Sequence, residues 1–188
     1  MSATTTTPIF IAAKRSLTWS IVLSVLMIVA GVLAIIIPPV AGIAVTLLVG
    51  WLLIFSGVAH LVFAWHTRGA GAIMWELLLG VLYMLVGAYL LWNPVLGLTS
   101  LTLGLAMYLI VEAVLEFILA MRLRPMPGSG WLFVDGIITL ILAIMIWRMW
   151  PSSAVWAIGI LVGISMIFSG VSRLMLSVAA RHLLNKVA

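Results

Sequence analysis

Six apolar runs follow one another with only short breaks between them, each about as long as the roughly 20 residues a bilayer-spanning helix needs, or longer. They lie at Leu17 to Ile37, about Ala41 to Trp65, about Ala72 to Trp92, about Gly97 to Met121, Trp131 to Trp150 and about Ser153 to Val178. As a helix, such a run rises about 30 Å, the thickness of the hydrocarbon layer of a bilayer. Lipid offers no partner to a backbone N–H or C=O, so a spanning segment must close its hydrogen bonds within itself, as helix. Composition removes the soluble alternative: 66% of the chain is hydrophobic and 7% charged, against about 25% charged in a soluble domain. The expected fold is an all-α integral membrane protein with six transmembrane helices and no soluble domain outside the spans.

The six runs are one unit written three times. The constant shift that carries Pro38 to Pro94 also carries Ser56, His60 and Arg68 onto Glu112, Glu116 and Arg124, with no gap. A second shift, one position longer, gives Pro151, Ser169, Arg173 and Arg181. The first helix of each unit keeps the frame through Trp19, Trp75 and Trp131, through Ser24, Gly80 and Gly136, and through Gly31, Gly87 and Ala143. The extra residue of the third copy therefore falls between Ala143 and Pro151. A single membrane domain of three helical hairpins is expected, at about 15–68, 72–124 and 131–181.

Each run carries two small residues seven apart: Ser24/Gly31, Gly50/Gly57, Gly80/Gly87, Ala106/Ala113, Gly136/Ala143 and Gly163/Gly170. Seven residues are nearly two helical turns, so each pair marks one face. Small residues let backbones approach where lipid supplies no hydrophobic drive between helices. The pairs predict a seam on every helix and shallow crossing angles in a compact bundle. Trp51 and Tyr108, deep in their spans, are expected as packing residues.

Orientation follows from the basic residues. Lys14, Arg15, Arg68, Arg122, Arg124, Arg181 and Lys186 fall on one side of the predicted bilayer and Arg148 on the other. That bias sets both termini in the cytoplasm. The formal charge of +5 would suggest nucleic acid in a soluble protein, but here the basic residues flank the spans, so no nucleic-acid partner is expected. Residues 1–13 are Thr-rich, and the run after Lys14 and Arg15 competes with a signal peptide. From Leu17 to Ile37 that run is longer than an h-region, and no small-x-small cleavage site follows, which favours a first transmembrane helix. With no cysteine, disulfides and thiolate sites are excluded.

All four acids of the chain, Glu76, Glu112, Glu116 and Asp135, lie in the spans, together with His60 and Arg173. Ionised residues in a bilayer are costly and usually face protein or water. At about 100° per residue, Glu112 sits about 100° from the seam at Ala113 and Glu116 about 60°, on the same side. Asp135 relates to Gly136 as Glu112 does to Ala113, and Glu76 precedes Gly80 by one turn. His60 and Arg173 share the angle of Glu116. These six are the candidate intramembrane polar network, with Arg173 the natural partner of Glu116 or Glu112. They serve either to fix the helices against one another or to handle protons or cations. Catalytic, cofactor and metal sites are not expected: no His pair at i, i+4, GxSxG, P-loop or dinucleotide fingerprint occurs.

The segments ELLLGVLYMLVGAYLLWNP (76–94), DGIITLILAIMIWRMWP (135–151), IFSGVAHLVFA (54–64) and IFSGVSRLMLS (167–177) resemble the HdeD-like family, also called the DUF308 repeat. The resemblance covers about residues 15–181. It implies a bacterial inner-membrane protein linked to acid resistance, with no catalytic or binding residues to carry over. Where family members often have Arg before the odd-helix Gly, this chain has Leu79 and Asp135. The leading expectation is a non-enzymatic protein of the inner membrane that supports survival under acid or envelope stress. A small transporter or channel using Glu112, Glu116, His60 and Arg173 is the first alternative. A membrane assembly factor, docking itself or another membrane protein through its glycine faces, is the second.

Overall fold

The structure is a computed structural model. It describes the backbone of residues 7–123 and 129–187 and the side chains of residues 18–123 and 130–181. Arg124 lies outside the described residues, as do the side chains of Lys14, Arg15 and Lys186. Six long helices run in chain order: α1 (Thr7–Ile36), α2 (Pro38–His66), α3 (Ala70–Trp92), α4 (Pro94–Arg122), α5 (Ser129–Arg148) and α6 (Ala157–Val187), with a short 3₁₀ turn at Ser152–Val155. All six are long and apolar enough to cross a bilayer.

The prolines begin helices. α1 stops at Ile36, just before Pro38, and Pro38 and Pro39 form the first turn of α2, ahead of the run expected from about Ala41, with only Ile37 between the two helices. Pro94 likewise opens α4 one residue after α3 ends. A helix's first N–H groups have no partner in any case, and the fixed φ of proline suits that position. α1, α3 and α5 end at Ile36, Trp92 and Arg148, equivalent positions of the repeat frame. The extra residue of the third copy therefore lies after Arg148, where the chain turns before Pro151. There α6 starts at Ala157 rather than at Ser153, because Ser152–Val155 coils as 3₁₀. The buried Ser153 hydroxyl donates to the carbonyl of Ile146 at 2.9 Å, tying that turn to the end of α5. At the opposite side of the layer Gly69, with φ +108°, supplies the left-handed residue that turns α2 into α3.

The chain falls into two units, Met1–Ala41 with Gly159–Ala188, and Gly42–Ile158. All twelve seam residues are buried. In the larger unit, α2 and α3 touch backbone to backbone: a Cβ at Gly57 would lie 2.7 Å from the Gly80 carbonyl, and one at Gly87 2.7 Å from that of Gly50. α4 meets α5 through the fully buried Ala106, Ala113 and Ala143. The Phe117 and Phe133 rings sit edge to face nearby. Gly97 packs against Leu90 and Thr46, and Gly42 against Leu98, so α2, α3 and α4 share one core. Thr46 and Thr102, equivalent in the repeat, are both fully buried and donate to the carbonyls of Gly42 and Leu98.

In the smaller unit, α1 meets α6 by the same device. A Cβ at Gly31 would fall 2.7 Å from the Gly163 carbonyl, and one at Gly170 3.0 Å from that of Ser24. The hydroxyls of Ser20 and Ser177 are hydrogen-bonded at 2.7 Å. The small-residue seam thus joins the second helix of one repeat to the first helix of the next: α2 to α3, α4 to α5, and α6 back to α1. Outside the seams the helices present large apolar side chains, Phe55, Phe63 and Phe168 among them, as a lipid-facing surface requires. Trp51 and Tyr108, expected as packing residues, belong to this exposed surface. Trp51 follows the seam residue Gly50 by one position, which turns its ring outward to stack on Phe55.

Candidate functional site

The sharp turn at 67–69 sets α2 and α3 antiparallel, so residues equally far from it face each other. His60 lies six residues before the end of α2 and Glu76 six residues after the start of α3. The backbone contact between Gly57 and Gly80, one turn deeper, draws the two side chains together. His60 Nδ1 lies 2.6 Å from Glu76 Oε2, each side chain about a quarter exposed. Tyr83 places its ring edge-on to the imidazole, with centroids 5.2 Å apart. Among the described residues this is the one ion-pair contact.

The same frame gives a different result between α4 and α5. Glu116 takes the place of His60, three residues beyond Ala113, but the counterpart of Glu76 is Leu132. Glu116 therefore lacks the partner its equivalent has. Its Oε2 is buried without a hydrogen bond. Gly136 is what admits it, since a Cβ there would come within 3.3 Å of Glu116 Cβ. Its charged neighbours are two acids, Asp135 on α5 and Glu112 on its own helix, and the Thr139 side chain is its hydrogen-bonding neighbour. Glu112 is half-buried and Asp135 exposed.

Arg173 holds the third equivalent position, on α6. It is exposed and has no ion-pair partner among the described residues. The counterpart of Glu76 here is Ser20, which bonds to Ser177. The six ionisable residues thus form a His60–Glu76 pair and a Glu112–Glu116–Asp135 cluster in the larger unit, with Arg173 in the smaller. Two participants were not singled out from the sequence, Tyr83 and Thr139. The signal for Thr139 was present, because it lies one turn beyond Asp135.

The arrangement is thus three acids with no ion-pair partner among the described residues, beside a separate His–Glu contact. Among the described residues, no cluster of three His, Cys, Asp or Glu is placed to hold a metal. Surface hollows along α5 are lined by Trp131, Leu132, Val134, Asp135 and Ile138, and by Ile141, Ile144, Met145, Arg148 and Met149.

Known proteins agree with the repeat. The family model described as a short repeat of unknown function (DUF308) matches residues 22–92, 78–148 and 149–187. Its first two matches are displaced from each other by the step that carries Pro38 to Pro94. Over 154 residues the chain is 32% identical to Protein HdeD of Escherichia coli K12, covering 80% of each chain, and equally to Protein HdeD of Shigella flexneri. No solved structure matches. Repeat, six spans and shared sequence together make this chain a multi-pass membrane protein of the HdeD-like, DUF308-repeat family.

Proposed function

We propose that this chain is a non-enzymatic protein of the bacterial inner membrane, with both termini in the cytoplasm, that supports survival under acid or envelope stress. The observation that carries the reading is the match to Protein HdeD across four fifths of both chains, joined to the acid resistance that the HdeD-like resemblance implies. The α4–α5 contact supports it: Glu112, Glu116 and Asp135 cluster there, in a layer where an ionised side chain is costly. The buried, unpartnered Glu116 oxygen between α4 and α5 is the group of that cluster where a change of charge bears on helix packing. The orientation rests on the basic residues at the ends of the spans, among them Arg68, Arg122 and Arg181 on one side and Arg148 on the other.

The test is complementation. An Escherichia coli K12 strain lacking Protein HdeD, expressing this chain, is challenged with acid and its survivors counted. Restored survival is expected. A chain that reaches the inner-membrane fraction at the level of Protein HdeD yet protects no cells would overturn the reading.

A further inference from the structure

The outer face of α6 does not look like a surface made for lipid. Ser165, Ser169, Ser172 and Arg173 fall within about 100° of one another on the helix, at 100° per residue. Ser165, Ser172 and Arg173 are exposed and Ser169 is partly so. Five other hydroxyls in the spans turn back to their own helix: Ser24, Thr46, Thr99, Ser100 and Thr102 each donate to the carbonyl four residues earlier. The exposed Ser100 shows that facing outward does not prevent this. Ser165, Ser169 and Ser172 have no hydrogen-bond partner among the described residues. A polar, cationic stripe of unsatisfied groups in a bilayer calls for a polar partner.

The complementary surface is on α5. Asp135 is exposed within its span and lines the hollow formed with Trp131, Leu132, Val134 and Ile138. No basic side chain pairs with it among the described residues. The depths match. Asp135 lies five residues from the Gly130 end of its span and Arg173 eight from the Arg181 end of its own. Both ends are on the side rich in basic residues. At 1.5 Å per residue these are depths of about 7.5 and 12 Å, a difference that the long arginine side chain covers by leaning toward the interface.

We propose that the protein self-associates in the membrane, the Ser165–Ser169–Ser172–Arg173 face of α6 in one copy docking on the α5 face around Asp135 of a second. Arg173 enters the hollow and meets Asp135, and the small serines let the two helices approach.

The absence of cysteine in the chain makes the test direct. One copy carrying Val134→Cys and a differently tagged copy carrying Ser172→Cys are expressed together, and the membranes are oxidised. A disulfide-linked band of twice the chain mass, containing both tags, is expected. Adding Arg173→Asp or Asp135→Arg should reduce it about tenfold, and both reversals in the same chain should restore it. An absent mixed band overturns the proposal, as does monomer mass for the unsubstituted protein in lipid nanodiscs, a readout that needs no charge variant. Loss on Arg173→Asp that the second reversal does not repair also overturns it, and would assign Arg173 to an anionic lipid headgroup.

Discussion

Replacing Gly57 by alanine tests how closely the helices approach. The added Cβ would meet Met84 Cγ at 2.6 Å and the Gly80 carbonyl oxygen at 2.7 Å. The methionine can swing aside, but the carbonyl belongs to the backbone of α3. Restoring an ordinary contact of 3.4 Å from 2.7 Å parts the helices by about 0.7 Å at this point. A gap of 0.5–1 Å forfeits about a quarter to a half of the ~0.1–0.2 kcal/mol in each atom pair, so on the order of 30 pairs lose roughly 1–2 kcal/mol together. Alanine also raises intrinsic helix propensity by up to about 1 kcal/mol. Gly104→Ala isolates that gain, because nothing lies within 4 Å of a Cβ there. The difference between the two variants is therefore the packing loss alone, about 5- to 30-fold in the unfolding equilibrium. The assay is SDS titration of the purified protein in mixed micelles, followed by helical circular dichroism. If Gly57→Ala and Gly104→Ala unfold at the same SDS fraction, α2 and α3 are not in backbone contact and the seam argument fails.

Four further outcomes are expected. His60→Ala and Glu76→Ala should each cost about 0.5–2 kcal/mol by the same titration, the double variant little more than the worse single, as for one shared contact between membrane helices. Ser153→Ala removes a donor from the Ile146 carbonyl and should cost about 1–3 kcal/mol, the penalty of a buried unpaired acceptor. Glu112→Gln combined with Glu116→Gln should fold at neutral pH yet fail to protect cells from acid, folding and survival being scored separately. Alkaline phosphatase fused to the C-terminus should be inactive, since the tail is expected in the cytoplasm.

The spans and the repeat could be read from the sequence because lipid imposes them. Length fixes a spanning helix, and an ungapped shift is independent of any contact. The seam residues were also legible, since a spacing of seven marks a face. The partner of each seam was not. A face has a direction but no address, and nothing in Gly50 and Gly57 says whether they meet α1 or α3. Pro38 marks both ends at once: α1 stops just before it and α2 starts on it, with Ile37 alone between them, so the proline was legible as a boundary but not as the first residue of the next helix. The candidate site divides in the same way. His60 and Glu76 were both expected to face protein, and their pairing follows once the turn at 67–69 is known. Arg173 shares the helical angle of His60, yet angle alone does not say whether a neighbour stands there, and on α6 the side chain is exposed.

The pairing of α1 with α6 has a consequence for synthesis. The first helix to leave the ribosome contacts the last, and all of α2 to α5 must be made between the end of α1 at Ile36 and the start of α6 at Ala157. For that stretch of about 120 residues, at about 5–20 residues per second, α1 waits on the order of 6–24 s in the membrane before its partner is made. Through that interval Gly31 and the Ser20 hydroxyl lack the contacts that Gly163 and Ser177 of α6 give them in the finished chain. A chain broken off before α6 never makes these contacts, a difference between an unfinished copy and a complete one that is open to membrane quality control.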